Sequence, residues 1–194
     1  MAQTVDTTSC KAMVIGGSAG SLNVLLEVLP LLKADIDFPI LIVVHRKPGS
    51  ESMLVELLQS RTLLSVKEVE EKNFLKGGII YLAPANYHVL IEEDKSFSLD
   101  YSEKVNYSRP SIDVAFQSAA EVYKEKLVGI LLSGSNADGT EGLKRVGKLG
   151  GTVVIQNPDT AIMPYMPEIA ISTVNQSLVI DADKMADYIN LLNR

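Results

Sequence analysis

The sequence is poor in cysteine and in aromatic residues: its 194 residues include one cysteine, Cys10, and no tryptophan. A single cysteine cannot form an internal disulfide, so we expect a reducing, cytoplasmic location rather than a disulfide-rich secreted domain. The first ten residues lack a basic segment followed by an apolar one, which predicts no signal peptide. No apolar run approaches the ~18 residues that a membrane-spanning helix needs, so no direct membrane insertion is predicted.

An excess of positive charge is also absent, because 24 acidic residues outnumber 18 basic ones and the net charge is -6. Proteins that bind nucleic acid generally present a basic surface, so we expect no nucleic-acid partner. No spacing of His, Cys, Asp and Glu is typical of a metal site, and neither a metal nor another cofactor is predicted. The length suits one domain over residues 1–194, with residues 1–10 as a flexible N-terminal lead.

The apolar segments alternate with amphipathic ones, a pattern that predicts an α/β fold in which helices connect the strands of a sheet. Continuous apolar runs predict strands that are buried on both faces. Two short segments that flank a Glu-Asp-Lys turn predict an antiparallel hairpin inserted in the sheet order. The predicted buried strands are 12–15, 39–44, 127–132 and 152–155, and the hairpin strands are 88–92 and 96–100.

A G-x-S-x-G motif, residues 16–20, follows the first predicted strand and precedes a helical pattern. A serine on such a sharp turn projects its hydroxyl above the end of the sheet, and the flanking glycines tolerate the strained backbone. Ser18 is therefore a candidate nucleophile, and the Ala19 amide is a candidate donor to an oxyanion. The alternative is an ordinary glycine-rich turn in which the serine caps a helix.

His45 follows the second apolar strand directly and is one of two histidines in the chain. Neighbouring strands lie about 4.8 Å apart, so a histidine at the end of one strand can reach a serine at the end of the next. Imidazole is the usual base that accepts a proton from a serine near neutral pH. The alternative is a surface histidine at a strand end, without a catalytic role.

Asp138 lies in the loop that follows the strand predicted over 127–132. An aspartate here can accept a hydrogen bond from the second imidazole nitrogen and stabilise the imidazolium. The alternative is that Asp138, which precedes a glycine, forms a turn or caps the next helix. Serine, histidine and aspartate at three strand ends together favour a catalytic triad more strongly than any one of them does.

With these residues identified, the chain resembles the catalytic domain of the chemotaxis protein-glutamate methylesterase family, CheB, over nearly its whole length. Several sequence blocks in the same order carry the resemblance. They are VIGGSAGSL (14–22), PILIVVHRKPG (39–49), GIIYLAPANYHVLI (78–91), VNYSRPSIDVAF (105–116), ILLSGSNADGTEGL (130–143) and VVIQNPDTAIMPYMPEIAI (153–171).

The resemblance implies a three-layer α/β/α fold with a mainly parallel, doubly wound sheet and an antiparallel hairpin. It also implies hydrolysis of glutamyl methyl esters, and deamidation of glutamines, on the cytoplasmic helices of bacterial chemoreceptors. The nucleophile, base and acid of the family correspond to Ser18, His45 and Asp138. A backbone amide near Ser135 is a second candidate donor to the oxyanion.

The chain departs from the family pattern at Ser21, where the family usually has glycine, and in the loop 134–139 that borders the site. The chemotaxis enzyme carries an N-terminal receiver domain, whereas only about ten residues precede the first predicted strand here. We therefore expect no receiver domain within these residues. A separate receiver domain or another chemotaxis regulator is a possible partner.

Basic residues near the base are candidates for substrate binding. Arg46 and Lys47 follow His45 directly and are predicted to form a basic rim that attracts glutamate-rich receptor helices. Arg109 either contacts substrate or braces the loop before a helix. A structural role is predicted for His88, and Cys10 is not a candidate nucleophile.

Other functions remain open at the level of the sequence. A glycine-rich turn after the first strand also occurs in nucleotide-binding α/β domains, although G-x-G-x-x-G is absent and His45 stands where a dinucleotide-binding protein has an acidic residue. A non-catalytic homologue that only binds receptors is a second alternative. A hydrolase that acts on another methyl ester is a third.

Overall fold

The computed structural model describes residues 10–46, 49 and 51–193, without the side chains of residues 51 and 52. Within these ranges the protein has a seven-stranded sheet, a separate two-stranded sheet and flanking helices. The predicted lead, apart from the buried Cys10, lies outside the described residues. None of the helices in the described part has both the length and the apolar content that crossing a membrane requires.

Strands and helices alternate along most of the chain, as the hydrophobic pattern predicts. The strands are β1 Ala12–Gly17, β2 Ile40–Val44, β3 Ser65–Glu68, β4 Ile79–Leu82, β5 His88–Ile91, β6 Phe97–Asp100, β7 Leu127–Leu131, β8 Thr152–Gln156 and β9 Leu178–Ile180. The α-helices are α1 Ser21–Val28, α2 Glu51–Gln59, α3 Ile112–Tyr123, α4 Thr140–Lys148, α5 Tyr165–Thr173 and α6 Met185–Leu191.

The main sheet has the strand order β3-β4-β2-β1-β7-β8-β9, and all its strand pairs are parallel. β1, β2 and β7 are buried along their whole length, because a hydrophobic core lies on each face of the sheet. This explains why these strands are continuous apolar runs rather than alternating ones. The fold is therefore the predicted three-layer α/β/α arrangement, with β1 between β2 and β7.

The antiparallel hairpin is confirmed, but its predicted insertion in the sheet order is wrong. β5 and β6 pair only with each other among the described strands, and they form a second sheet that packs against α3. β4 is already hydrogen-bonded to β2 on one side and to β3 on the other, so the main sheet has no free edge there. The short, half-exposed β9 was not predicted, because its three residues give no clear periodic signal.

Candidate active site

The carboxyl ends of β1, β2 and β7 bring Ser18, His45 and Asp138 together. The Ser18 Oγ lies 3.1 Å from the His45 Nδ1, and the His45 Nε2 lies 2.8 Å from the Asp138 Oδ2. The two imidazole nitrogens thus have different partners, a hydroxyl at Nδ1 and a carboxylate at Nε2. Since a neutral imidazole carries one N–H, the proton on Nε2 is donated to Asp138, and Nδ1 is the acceptor that faces the serine hydroxyl.

The turn that carries Ser18 is fixed by its backbone. The Ser18 amide donates to the Ser133 carbonyl at 2.9 Å, and the His45 amide donates to the Gly17 carbonyl at 3.2 Å. Gly20 has a φ of +84°, and a Cβ at this position would lie 2.7 Å from the Ser133 Oγ. Both the conformation and the close approach require glycine here, as the G-x-S-x-G motif predicts.

Ser21 is the position at which the resemblance leads us to expect glycine. It is buried, and its hydroxyl donates to the Ser18 carbonyl at 2.6 Å. A Cβ on Gly17 would lie 2.4 Å from the Ser21 Cβ. The extra side chain at Ser21 is therefore accommodated beside a glycine, and it reinforces the turn below the nucleophile.

Asp138 is fully buried and accepts hydrogen bonds on both carboxylate oxygens. Burial alone raises the pKa of a carboxyl group, but hydrogen bonds from His45 and from backbone amides outweigh burial and hold the pKa of Asp138 below its usual value. Asp138 is therefore ionised at neutral pH. Its five donors among the described residues are the His45 Nε2, the Ile112 amide at 2.7 Å, the Asp113 amide at 3.1 Å, the Ser111 Oγ at 2.9 Å and the Asn106 Nδ2 at 3.2 Å.

Two of these donors are amides in the first turn of α3, so Asp138 also satisfies the N-terminus of a helix that is distant in sequence. Ser111 is the N-cap of that helix and accepts a hydrogen bond from the Val114 amide. A Cβ on Gly16 would lie 2.2 Å from the Ile112 Cγ2, so the end of β1 lies directly against the start of α3. Glycine at this position lets α3 approach the triad closely.

Sequence reasoning missed Asn106, Ser111 and Asp113. Asn106 donates its Nδ2 both to Asp138 and to the Asp113 Oδ2, the latter at 2.8 Å. The Gly142 amide donates to the other Asp113 oxygen at 2.6 Å. Burial, together with the nearby negative charge of Asp138, raises the pKa of Asp113 to about 6. The N-cap pattern at Ser111 was a usable signal, whereas nothing local in the sequence marks Asn106 or Asp113.

His88 is buried and has the structural role that the sequence predicts. Its Nδ1 accepts a hydrogen bond from the Ser111 amide at 3.1 Å, and its Nε2 donates to the Glu103 carbonyl at 2.9 Å. Because Ser111 in turn donates to Asp138, His88 supports the acid of the candidate triad through one intermediate residue. The prediction treated its strand as remote from the triad, but α3 connects the two.

The amides of Ala19 and Ser135 lie in the exposed loops that follow β1 and β7. Neither amide donates to an acceptor within the part of the chain that the structure describes. By contrast, the neighbouring Gly134 amide donates to the Met163 carbonyl at 3.1 Å. Ala19 and Ser135 therefore stay the predicted oxyanion donors, because their N–H groups are free to bind a ligand.

Arg46 is not the solvent-exposed charge that the sequence predicts. Its side chain is only 7% exposed; Nη2 donates to the Glu68 Oε2 at 2.8 Å and to the Ala83 carbonyl at 2.9 Å. It lies along a cleft of about 350 Å³ beside His45. Only Nη2 bonds to the neighbouring strands, whereas Nε and Nη1 are buried without a hydrogen-bond partner among the described residues. A charged residue directly after a strand can turn back under the loop, which the sequence pattern does not reveal. Lys47, the other half of the predicted rim, lies outside the described residues.

The sequence allows Arg109 either to contact substrate or to brace the loop before a helix, and its contacts match the bracing role. Its guanidinium donates to the carbonyls of Tyr101 and Ser102, at 2.9 and 2.7 Å, and to the Asn86 side chain. It also stacks on the Tyr101 ring, 3.8 Å from the centroid. Arg109 lies along the same cleft as His45, so substrate contact is still a prediction.

Cys10 lies outside this site. It is buried, and burial raises the pKa of its thiol to about 12, so it is not an available nucleophile. In the described ranges, no group of three or more His, Cys, Asp or Glu residues is arranged to hold a metal ion.

Comparisons with known proteins agree with this fold. A family model described as CheB methylesterase matches residues 13–189. A relative from Leptospira interrogans, provisionally named a protein-glutamate methylesterase/protein-glutamine glutaminase, is 44% identical over 91% of this chain and 92% of its own length. A protein-glutamate methylesterase/protein-glutamine glutaminase from Thermotoga maritima is 34% identical over 95% of this chain, which spans 54% of that relative.

A solved structure resembles the whole described fold. It is the crystal structure of the Thermotoga maritima CheB methylesterase catalytic domain, which superposes with a TM-score of 0.91 at 34% sequence identity. The match covers 95% of this chain and 99% of the other. The likeness therefore covers nearly the whole chain.

Proposed function

Because this chain belongs to the CheB methylesterase family, we propose that it hydrolyses glutamyl methyl esters, and deamidates glutamines, on bacterial chemoreceptors with Ser18, His45 and Asp138 as its catalytic triad. The observation that carries this proposal is the position of His45, whose two ring nitrogens lie 3.1 Å from the Ser18 Oγ and 2.8 Å from the Asp138 Oδ2. Family membership argues against the nucleotide-binding alternative. The proposed partners are methylated receptor helices in the cytoplasm, and the proposed regulator is a phosphorylated receiver domain.

In the first step, the Ser18 oxygen attacks the ester carbonyl carbon while the His45 Nδ1 takes the hydroxyl proton. The resulting imidazolium lies against the ionised Asp138, whose buried carboxylate stabilises the positive charge. The amides of Ala19 and Ser135 donate hydrogen bonds to the oxyanion. Collapse of this intermediate breaks the C–O bond, and the proton on Nδ1 passes to the leaving methanol.

In the second step, water replaces the alcohol and the same groups act again. The Nδ1 takes a proton from water, the hydroxide oxygen attacks the acyl carbon, and the proton returns to the Ser18 oxygen. The product is a glutamate carboxylate. With a glutamine side chain the first leaving group is ammonia, so one site serves both reactions.

A second hydroxyl complicates the assignment of the nucleophile. The Ser108 Oγ lies 3.4 Å from the same His45 Nδ1. Ser18 is the better candidate, because it is closer to Nδ1 and lies on the glycine turn beside the free Ala19 amide. Ser108→Ala is therefore the matched control for Ser18→Ala, since each variant removes one hydroxyl that faces the base.

The test measures methanol release from methylated chemoreceptor cytoplasmic fragments, together with the site of labelling by a fluorophosphonate probe. We expect the wild type and Ser108→Ala to release methanol and to be labelled on Ser18, and Ser18→Ala to do neither. Labelling of Ser108, or full activity of Ser18→Ala, would overturn the triad. A labelled but inactive wild type would indicate a different ester substrate.

A further inference from the structure

Residues 105–108 form a tight turn beside His45. The Val105 amide donates to the Ser108 carbonyl at 3.2 Å, and the Ser108 amide donates back to the Val105 carbonyl at 2.9 Å. The two central residues, Asn106 and Tyr107, have φ values of +49° and +61°. Two consecutive left-handed residues are typical of a type I′ turn, in which Asn-Gly is the preferred pair.

The presence of asparagine at position 106 of the turn is explained by its contacts. Asparagine tolerates the left-handed region, and its Nδ2 connects the turn to Asp113 and Asp138. Ser108, at the end of the turn, lies with its hydroxyl 3.4 Å from the His45 Nδ1. The turn is thus anchored to the triad on both sides of Tyr107.

The presence of tyrosine at position 107 is not explained by any contact within the described part of the protein. Tyr107 is 98% exposed, and its side chain makes no hydrogen bond or ring contact with any residue that the structure describes. Glycine would relieve its left-handed backbone. A strained, fully exposed aromatic residue next to a catalytic base indicates a role outside the fold.

The surroundings of Tyr107 indicate what it contacts. Tyr107, Asn86, Lys104 and Arg109 lie with His45 along the cleft of about 350 Å³. Neither Lys104 nor Arg109 has a carboxylate within ion-pair distance in the described part of the chain; the guanidinium of Arg109 binds only neutral oxygens. Within the described residues, the positive charges of Lys104 and Arg109 on this cleft are therefore not neutralised by a direct ion pair, although Asp100 is near enough to Arg109 to interact with it. The cleft is thus basic in a chain whose net charge is -6.

We propose that Tyr107 is a specificity-determining residue that contacts an acidic protein segment flanking the side chain under attack at Ser18. This inference rests on the proposed function and adds a contact for the protein substrate. Consecutive Cα atoms are 3.8 Å apart, so the Tyr107 backbone is close to Ser108 and the triad. Its ring, however, lies in solvent and meets groups outside the reacting ester. An exposed aromatic ring beside basic residues suits a segment in which carboxylates accompany apolar side chains.

The test compares Tyr107→Ala and Tyr107→Gly with the wild type on two substrates. The first is a methylated chemoreceptor fragment, and the second is a small fluorophosphonate that reports only on the reactivity of Ser18. We expect kcat/KM for the fragment to fall about tenfold, mostly through KM, and the rate of fluorophosphonate labelling to stay within about twofold. Tyr107→Gly should keep or raise the melting temperature, because glycine relieves the left-handed φ.

Leu63→Ala is the matched control. Leu63 is 85% exposed and precedes β3, at the amino end of a strand that runs parallel to β4 and β2. The candidate site lies at the carboxyl ends of the strands, so this variant should behave as wild type. Lys104→Glu should also lower kcat/KM for the fragment, with an effect that shrinks as the salt concentration rises.

Unchanged kcat/KM in both Tyr107 variants would overturn the inference. A loss of fluorophosphonate labelling as large as the loss of kcat/KM would also overturn it, because it would indicate that the substitution damages the site around Ser18. If the wild type is labelled but inert towards the fragment, the proposed substrate fails and this inference fails with it. That outcome is recognisable, because wild type and variants are then equally inactive.

Discussion

Ser18 and Asp138 lie at the two ends of the candidate triad, and their surroundings differ in kind. Among the described residues, the Ser18 hydroxyl bonds only to the imidazole, on a partly exposed turn that is held by backbone contacts and by glycine. Asp138 is fully buried and accepts five hydrogen bonds, two of them from the first turn of α3.

This difference follows from what each group does. A nucleophile must be reached by substrate and must exchange its proton, so extra side-chain partners would hinder it. The acid must stay ionised and fixed, and several donors achieve both. Substitutions of Ser18 should therefore lower activity without lowering stability, whereas substitutions around Asp138 should lower both.

The largest effect is expected for Asp138→Asn. The side-chain amide of the variant no longer favours the His45 tautomer with its proton on Nε2. It also places an NH₂ group among N–H groups that need an acceptor. We expect kcat to fall about 10⁴-fold and the free energy of unfolding to fall by about 1–3 kcal/mol. Ester hydrolysis and urea unfolding measure the two effects. Ser18→Ala is the control, which should be inactive but within about 0.5 kcal/mol of wild type in stability. Equal stability of the two variants would contradict the expected difference between the surroundings of Ser18 and Asp138.

Gly16→Ala tests the contact between the end of β1, which leads to Ser18, and the start of α3, which donates to Asp138. The new methyl group would lie 2.2 Å from the Ile112 Cγ2 and would push the first turn of α3 away from Asp138. Overpacking of this kind costs about 1–3 kcal/mol, and we expect a loss of activity with it. Thermal unfolding and methanol release measure the outcome. Gly147→Ala, whose Cβ meets the Val153 Cγ2 at 3.6 Å, is the control that should not impair activity.

Ser111→Ala removes one donor to Asp138 and the side-chain cap of α3. We expect a loss of about 1 kcal/mol in stability, the usual value for a lost N-cap. The fall in kcat should be about tenfold, since four donors to Asp138 are left. Ser111→Thr retains a hydroxyl and should recover most of both quantities. A fully active Ser111→Ala would mean that the remaining donors alone position the acid.

The last prediction concerns the pH dependence of stability. The pKa of Asp113 is raised to about 6, above its unfolded value, so the folded protein holds a proton that the unfolded chain releases. The corresponding stability is present at pH 4 and is lost as the pH rises through 6. Asp113→Asn lacks this ionisation, so wild type should lose on the order of 1–2 kcal/mol relative to the variant between pH 4.5 and 7. Urea unfolding at both pH values measures this, and a constant difference would contradict the raised pKa.

Much of the serine end could be predicted from the sequence, because its elements are local. The G-x-S-x-G turn, the apolar strands and the residues after them place Ser18, His45 and Asp138 at neighbouring strand ends. The donors to Asp138 could not be predicted in the same way. Asn106, Ser111 and Asp113 follow the hairpin, and their distance from Asp138 depends on how α3 packs against β1, which no periodicity records. The burial of Arg46 could not be predicted for a similar reason, because it depends on Glu68 in another strand.

The orientation of the His45 ring has a consequence for spectroscopy and chemical labelling. The nitrogen that shares its proton with a buried carboxylate is Nε2, and Nδ1 is the nitrogen that faces the substrate. In ¹⁵N-labelled protein, the most deshielded imidazole proton should therefore couple to Nε2, and a histidine-directed alkylating inhibitor should become attached to Nδ1. A reagent designed for triads with the opposite ring orientation would present its reactive carbon to the wrong edge of this ring.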